Sequence, residues 1–510
     1  MPYEGDPDPR EARSRHRGLA PAHIALAGLG VAIAYLVAVV LHRELSNDVF
    51  WQLAAGQWML AHHAVMGLDP FSYTESQHRW ISDEWGSEVV LAWLHRWLGA
   101  ASFNVLAVAT GSLSLISCTL YAREVGARAG RLAAIALLLA LGLAGFVAED
   151  RGLSFSLIWL PLELLILTRS RADPRWLWGL PPLCLLWVNT HGSILVGLLV
   201  LAVELAWSLV PARLVARVGG MGRAPSPGRL GLATLGSLVA SGVTPYGPRL
   251  LAYDLSVARN SQIARYIAEW NSPDFRSVVA LLSFCIPLAV LALALRGRRV
   301  MVLEATLVIG FLVGSLLAQR MVIYLMVAAA GLAAGLPARP AWAPGARRLA
   351  GAGLIGLMVA IVALPSVPTG TVSPSMPVRA FDFLAGHGGR VFTEYTWGDY
   401  SIARHRATFA DGRTDLFAGP VLTEFFAVTE LSTDPDPVLS RYGVAYVVWA
   451  PATPLALFLG RDRRWLLVDR AGPALVFARR AWWAGQPGGP QVASMPRRSP
   501  SPSRSVVTVR

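Results

Sequence analysis

The chain contains no lysine in 510 residues. That absence excludes any mechanism built on a side-chain amine, Schiff-base and Ser-Lys chemistry included. All 45 basic side chains are therefore arginine; with 32 acidic ones the net charge is +13. Charge of either sign is scarce, at 15% of residues, where a soluble chain carries about 25%. Cysteine is scarcer still: Cys118, Cys184 and Cys285 all sit in apolar runs, which excludes a disulfide framework and zinc spacing. His62-His63 has no third ligand at a zinc-like distance in sequence. A Gly-rich phosphate loop and a GxSxG elbow are also missing.

What is present is apolar sequence, 54% of the chain with a mean hydropathy of +0.48. Runs near the roughly 20 residues that span hydrocarbon fall at 20–42, 100–121, 131–149, 152–169, 175–190, 192–210, 229–244, 277–296, 300–317, 320–337 and 347–365. The pattern predicts a mainly α fold, a polytopic membrane helix bundle of about eleven spans. Residues 1–19 are a polar, Arg-bearing cytosolic tail without a signal-peptide cleavage site. The tail and alternate loops hold twenty arginines and the opposite loops nine. By the positive-inside rule the N-terminus is cytosolic and everything after residue 365 is outside. Loop arginine of this kind accounts for the basic balance, so no nucleic acid partner is expected.

One stretch does not fit either a span or a linker. Residues 43–99 form the first outer loop, in which Trp51, Trp58, Trp80, Trp85, Trp93 and Trp97 alternate with Asp48, Asp69, Asp83, Glu84 and Glu88. Amphipathic aromatic segments lie in the membrane interface, and carboxylates held there can face a lipid-linked molecule. Asp48 opens one amphipathic helix after Asn47, and Asp83-Glu84 open a second. Helix capping is the plain alternative role for these side chains. Past the spans, a Pro/Ser/Thr linker leads into a small α/β domain over 366–480. It reads as a helix at 378–386, strand-turn-strand over RVFTEYTWGDYSIA, strand plus loop over ATFADGRTDLF, and strands at VAYVVWA, WLLVDR and ALVFAR. Residues 481–510 are a disordered basic tail.

The polar clusters sort to the outer side, while the inner loops carry little but arginine. Asn189 and His191 sit in a polar turn between apolar runs, at a depth where polar groups are costly and tend to be functional. Asp150 and Arg151 occupy a tight outer turn, and Arg320 ends another span; the arginine fork suits phosphate. Tyr246, Glu269 and Trp270 line the remaining long outer loop. Asp69-Pro70 and Asp411-Gly412-Arg413 read as turns. Glu163, Glu204 and Glu304 lie inside spans and read as side chains snorkelling to the inner interface.

This arrangement resembles the GT-C superfamily of membrane glycosyltransferases, which includes protein mannosyltransferases, oligosaccharyltransferases and the aminoarabinose transferase. More narrowly it is similar to a group of bacterial multi-pass proteins with a GT-C-like layout. Their pattern is matched by Asp48, Trp51, Leu53 and, at a slightly different spacing, Gly56; by Asp69 to Thr74; and by Glu84-Trp85. Trp187, Asn189, His191 and Gly192, Pro245 to Gly247, Glu269-Trp270 and Asp411 to Arg413 complete it. The resemblance covers most of residues 20–480. Gln52 departs from it, standing where histidine is expected, and a clear Asp-x-Asp is lacking.

The resemblance implies a bacterial plasma-membrane glycosyltransferase. Its donor would be a polyprenyl-phosphate sugar, met at the outer face among membrane lipid, and its acceptor a glycan, lipid or protein. Asp48 would be the base or would hold a divalent cation, magnesium or manganese, and Glu84 would assist it. His191, Arg151 and Arg320 would face the lipid phosphate. The rival readings are a lipid-linked glycan transporter or flippase and a degenerate GT-C scaffold.

Overall fold

A computed structural model of the chain describes residues 19–147, 152–217, 220–221, 225–297, 300–337, scattered residues between 352 and 363, and 372–486. These fall into two compact units. The first runs to Met376 and adds Tyr395–Phe425; the second takes Pro377–Glu394 and the residues from Phe426 onward.

The first unit is helical. Its main helices are α1 (Leu19–Leu41), α2 (Asp48–His62), α3 (Trp85–Leu98), α4 (Ala101–Val125), α5 (Ala129–Val147), α6 (Leu153–Ser170) and α7 (Leu180–Val188). They continue with α8 (Ile194–Leu209), α9 (Pro227–Ser241), α10 (Arg249–Ala258), α11 (Val278–Arg296), α12 (Val302–Leu317), α13 (Val322–Ala334) and α14 (Tyr395–Ala403). Each expected apolar run thus contains a helix, except 347–365, which lies largely outside the described residues. Three helices, Ala22–Leu41, Ala101–Val125 and Leu153–Ser170, are long and apolar enough to cross a membrane by length and composition. The other apolar helices are shorter. Helix faces turned away from the core carry exposed leucine, isoleucine and valine, among them Leu26, Leu199, Val239, Leu288 and Leu317. A water-facing helix would place charge there.

The core joins α1 to α5, α4 to α6, α7 to α9 and α12 to α13. Glu163, Glu204 and Glu304, expected to snorkel outward, are instead buried in it. The packing explains this. Gly197 leaves room for Glu163 and the Trp187 ring, and Tyr121 donates to Glu304 Oε1 at 3.0 Å. Arg171 Nη2 stands 3.4 Å from Glu204 Oε1.

The first unit also departs from the expected strands. The stretch after Thr393 forms helix α14, which packs on α2 with Phe50 edge-on to Tyr400 at 5.2 Å. Its aromatic and β-branched residues suit a strand by propensity, yet here they fill a helix–helix contact, and tertiary packing overrides propensity. The following ATFADGRTDLF stretch is likewise not a strand beyond one bridge, Ser72 to Thr408. Tyr73 N–H donates to Thr408 O and Thr408 N–H to Phe71 O, both at 3.0 Å.

In the second unit a four-stranded sheet takes β1 (Arg390–Thr393), β2 (Val444–Trp449), β3 (Trp465–Ala471) and β4 (Ala474–Arg479) in the order β1-β2-β4-β3. The β1–β2 pair is parallel and the other two antiparallel. Strand β2 is buried along its whole length, as expected of a central strand. The three C-terminal strands and the helix at Val378–Leu384 lie where the sequence places them. Residues 1–18 and 487–510, read as tails, are outside the described residues.

Candidate active site

Two helices of the first loop set the site. Helix α2 begins at Asp48, so the carboxylate sits in the first turn, where the helix dipole favours negative charge. The Asn47 side chain makes no capping bond, and neither does Glu84 at the start of α3. Capping therefore does not account for Asn47 or Glu84. Gly56 lets α2 and α3 approach closely, because a Cβ there would strike the Glu88 backbone and the Ala92 methyl.

Glu84 is held at both oxygens. Gln52 Nε2 donates to Oε2 at 2.6 Å, and His191 Nε2 stands 3.0 Å from Oε1. Ser193 N–H donates to His191 Nδ1 at 2.9 Å. That bond leaves the imidazole hydrogen on Nε2, where it points at Glu84. The turn carrying His191 is itself fixed, since Trp187 Nε1 donates to Ser193 Oγ at 2.8 Å and Trp159 Nε1 to Thr190 Oγ1 at 2.9 Å. Asn189 serves that turn too, with Nδ2 donating to Leu185 O (2.8 Å) and Val243 O (3.0 Å). Gly152 packs on the far side of Glu84: a Cβ there would lie 2.7 Å from Oε2. Asp150 and Arg151, which precede it, lie outside the described residues.

Asp48 has an acidic neighbour in the stretch whose sequence reads as strand, turn and strand. Asp399, on α14, is buried; Gly412 N–H donates to its Oδ1 at 2.7 Å, and Oδ2 has no partner among the described residues. A Cβ on Gly412 would lie 2.9 Å from both Asp399 oxygens and from Asp48 Oδ1. Burial pushes the Asp399 carboxyl well above the usual carboxylate range, and the charges of Asp48 and Asp411 add to the shift.

A second acidic group lies on the other side of Glu84. Asp83 and Asp254 both face the space beside Gly192, where a Cβ would stand 2.8 Å from Asp254 Oδ1 and closer still to Asp83 Oδ2. Burial, then Glu84 and Asp415, push Asp83 up to about 7, against the opposing effect of His191. Burial, then Asp83 and Asp415, push Asp254 up to about 9. Asp415 accepts from Trp80 Nε1 at 3.2 Å and from the Tyr253 hydroxyl. Tyr246 supports the loop from beneath, donating to Met66 O at 3.1 Å.

Arg413 anchors this whole surface. It is buried, with Nη1 2.6 Å from Asp69 Oδ1 and Nη2 2.7 Å from Asp411 Oδ2, and its guanidinium lies 4.7 Å from the Trp80 ring centroid. Asp69 also accepts the Phe71 and Ser72 N–H groups at 2.9 Å. Burial alone would raise Asp69; the Arg413 charge and the hydrogen bonds reverse that and hold it below the usual value.

Arg320, Trp270 and Glu269 form a separate group. The Arg320 guanidinium stacks 4.5 Å from the Trp270 ring centroid, and Gln319 Nε2 donates to Ala268 O at 2.8 Å. Tyr324, on α13, meets Ser193 of the histidine turn and Ser156 of α6. Among the described residues no three His, Cys, Asp or Glu side chains converge as a metal cage. A divalent cation at Asp48 would draw on the carboxylates of Asp48 and Asp399, oxygen donors that suit a hard ion such as magnesium or manganese.

No protein-family model matches the chain, and no curated protein does. Solved structures match over most of it. The oligosaccharyltransferase AglB of Archaeoglobus fulgidus, in complex with an inhibitory peptide and a dolichol-phosphate, has a TM-score of 0.61 at 13% identity, over 84% of this chain and 69% of that one. ArnT of Cupriavidus metallidurans, bound to undecaprenyl phosphate, has a TM-score of 0.53 at 15% identity, over 90% and 97%. The Archaeoglobus oligosaccharyltransferase was also solved with zinc and sulfate, at TM-score 0.50, 12% identity, and 82% and 67% coverage. The fold is that of the GT-C glycosyltransferases. These structural neighbours are multi-pass membrane proteins, and the apolar outer faces of the helices fit the same setting.

Proposed function

We propose that this protein is a membrane glycosyltransferase that moves a sugar from a polyprenyl-phosphate donor to an acceptor hydroxyl at the outer face of a bacterial plasma membrane. The observation that carries the reading is the geometry around Glu84, gripped at both oxygens by His191 and by Gln52, which follows Asp48 by one turn of α2, in a chain with the GT-C fold. About eleven spans with a cytosolic N-terminus would place this surface outside.

In the proposed reaction Asp48 accepts the proton of the acceptor hydroxyl as its oxygen bonds to the sugar's anomeric carbon. The bond from that carbon to the phosphate oxygen breaks, and its electron pair leaves with the polyprenyl phosphate. Attack from the opposite face inverts the anomeric centre. A base must be held rigidly within reach of the proton it takes. The start of α2 and the close approach of Gly412 restrict Asp48 in that way. Glu84, fixed by Gln52 and His191, orients the acceptor or the sugar hydroxyls. Arg320, stacked on Trp270, and Arg151 stabilise the leaving phosphate as charge develops. A divalent cation, when bound, would neutralise part of that charge. The second unit would help to select the acceptor.

Gln52 stands where the resembled pattern has histidine. Its bond to Glu84 gives it a place in the site and weakens the degenerate-scaffold reading. Purified protein is to be assayed for turnover of a panel of polyprenyl-phosphate sugars, with Asp48→Asn alongside. Turnover by the wild type and none by the folded variant supports the proposal. Binding without turnover in either form points to a flippase or scaffold.

A further inference from the structure

We propose that Tyr324 is a positioning residue for the His191–Glu84 grip, acting through Ser193. It keeps the Ser193 hydroxyl turned away from the end of α8 and so holds the Ser193 N–H on His191 Nδ1. The inference rests on the reading of Glu84 as part of the transfer site, and goes beyond it by placing a control of that site on α13.

The first observation is a helix cap that is not made. Ser193 stands at the start of α8, where a serine ordinarily accepts a backbone N–H of the first turn from an extended conformation. Here its φ is −66° and its ψ 2°, and its side chain makes no capping bond. The hydroxyl is engaged elsewhere. It accepts from Trp187 Nε1 at 2.8 Å and pairs with Ser156 Oγ, and both serines meet the Tyr324 hydroxyl. A serine hydroxyl has one hydrogen and two lone pairs, so these three partners satisfy it fully.

The second observation is what the backbone of that residue then does. Ser193 N–H donates to His191 Nδ1 at 2.9 Å, which keeps the ring hydrogen on Nε2, 3.0 Å from Glu84 Oε1. The alternative arrangement is local. A Ser193 that caps α8 moves this turn and withdraws its N–H; the imidazole is then free to carry its hydrogen on Nδ1, and the bond to Glu84 Oε1 is lost. The third observation is burial. Tyr324 is 2% exposed and Ser156 and His191 are buried with it, so water does not stand in for a lost hydroxyl.

The experiment compares Tyr324→Phe with the wild-type full chain in detergent, by two readings. The first needs no sugar transfer: histidines are labelled with diethyl pyrocarbonate, which attacks an unprotonated ring nitrogen, and read by mass spectrometry. The Ser193 N–H covers His191 Nδ1 in the wild type. Labelling at His191 should therefore rise several-fold in the variant, while His387 of the second unit labels as before. The second reading is transfer kinetics with a polyprenyl-phosphate sugar. Tyr324→Phe should lower kcat by about tenfold, less than a full misplacement because Trp187 still holds Ser193, with the donor KM and the melting temperature unchanged. In a His191→Ala background the same substitution should cost nothing further, whereas independent effects would multiply. Ser156→Ala removes another hydroxyl of the trio; it should move His191 labelling the same way, and carries the test if Tyr324→Phe does not fold. Unchanged His191 labelling in the folded variants overturns the proposal, as does an equal loss of kcat with and without His191. A wild type that transfers no sugar overturns the transferase reading instead, and the labelling alone then decides whether Tyr324 holds His191.

Discussion

Asp69 and Asp254 are both buried aspartates of the first unit, and their surroundings could hardly differ more. Asp69 faces Arg413 and two backbone N–H groups, so every charge in its surroundings is answered. Asp254 faces Asp83 and Asp415, and neither of its oxygens has a partner among the described residues. The first is driven below the ordinary carboxylate range and the second far above it. A matched acid holds a fold together. An unmatched one is pushed toward its neutral, protonated form.

The sharpest way to break this contrast is at Arg413. Arg413→Met strands Asp69 and Asp411 in the interior, which should cost about 3–5 kcal/mol. The expected result is loss of most folded protein in a detergent melting assay. Arg413→Lys should not restore it, since one ammonium cannot serve two carboxylates with a planar fork.

The next effect is on turnover alone. Gln52→Ala frees one side of Glu84 and should lower transfer by about 10²-fold, the scale of a small misplacement in an active site, with little change in melting temperature. Gln52→His, which replaces the amide donor with a ring donor, should recover part of the loss.

A smaller effect separates the two kinds of acid by pH. Glu88 is buried, accepts from Ser82 Oγ at 2.6 Å, and is pushed well above its ordinary 4.5, chiefly by burial. The folded state therefore holds this proton after the unfolded chain has lost it. Glu88 favours folding fully only below pH 4.5, and that contribution falls as pH rises toward the folded pKa. The slope is at most about 1.4 kcal/mol per pH unit. Glu88→Gln should therefore gain stability over the wild type as pH rises. Asp69 has the opposite sign: its contribution is present above 3.8 and lost as pH falls through its depressed pKa. Thermal melts across pH check both. The smallest expected change is Arg320→Lys, which keeps charge but loses the stack on Trp270. It should raise KM for the lipid donor by roughly tenfold or less and leave melting unchanged.

The helices were legible because run length alone marks them, and so were strands β2 to β4, rich in valine and aromatics. Helix α14 was not, because its Tyr, Trp and Ile pattern also fits a strand and only the α2 surface decides between them. The carboxylates of the first loop could be singled out from their setting. Their partners could not: Arg413 lies 344 positions from Asp69 in the chain, and no spacing rule reaches that far. Gln52 stood in plain view as a departure from an expected histidine, and only the structure gives it a role. Asp254 gave no signal at all, being one acid in the unremarkable helix RLLAYDLSVA.

The central claim is that Asp48, fixed at the start of α2 beside Asp399, is the base of the transfer. It is tested most directly by measuring sugar transfer per folded molecule for Asp48→Asn. The account expects a fall of about 10²–10⁴-fold with a melting temperature equal to or above the wild type. Full transfer by the folded variant would contradict it.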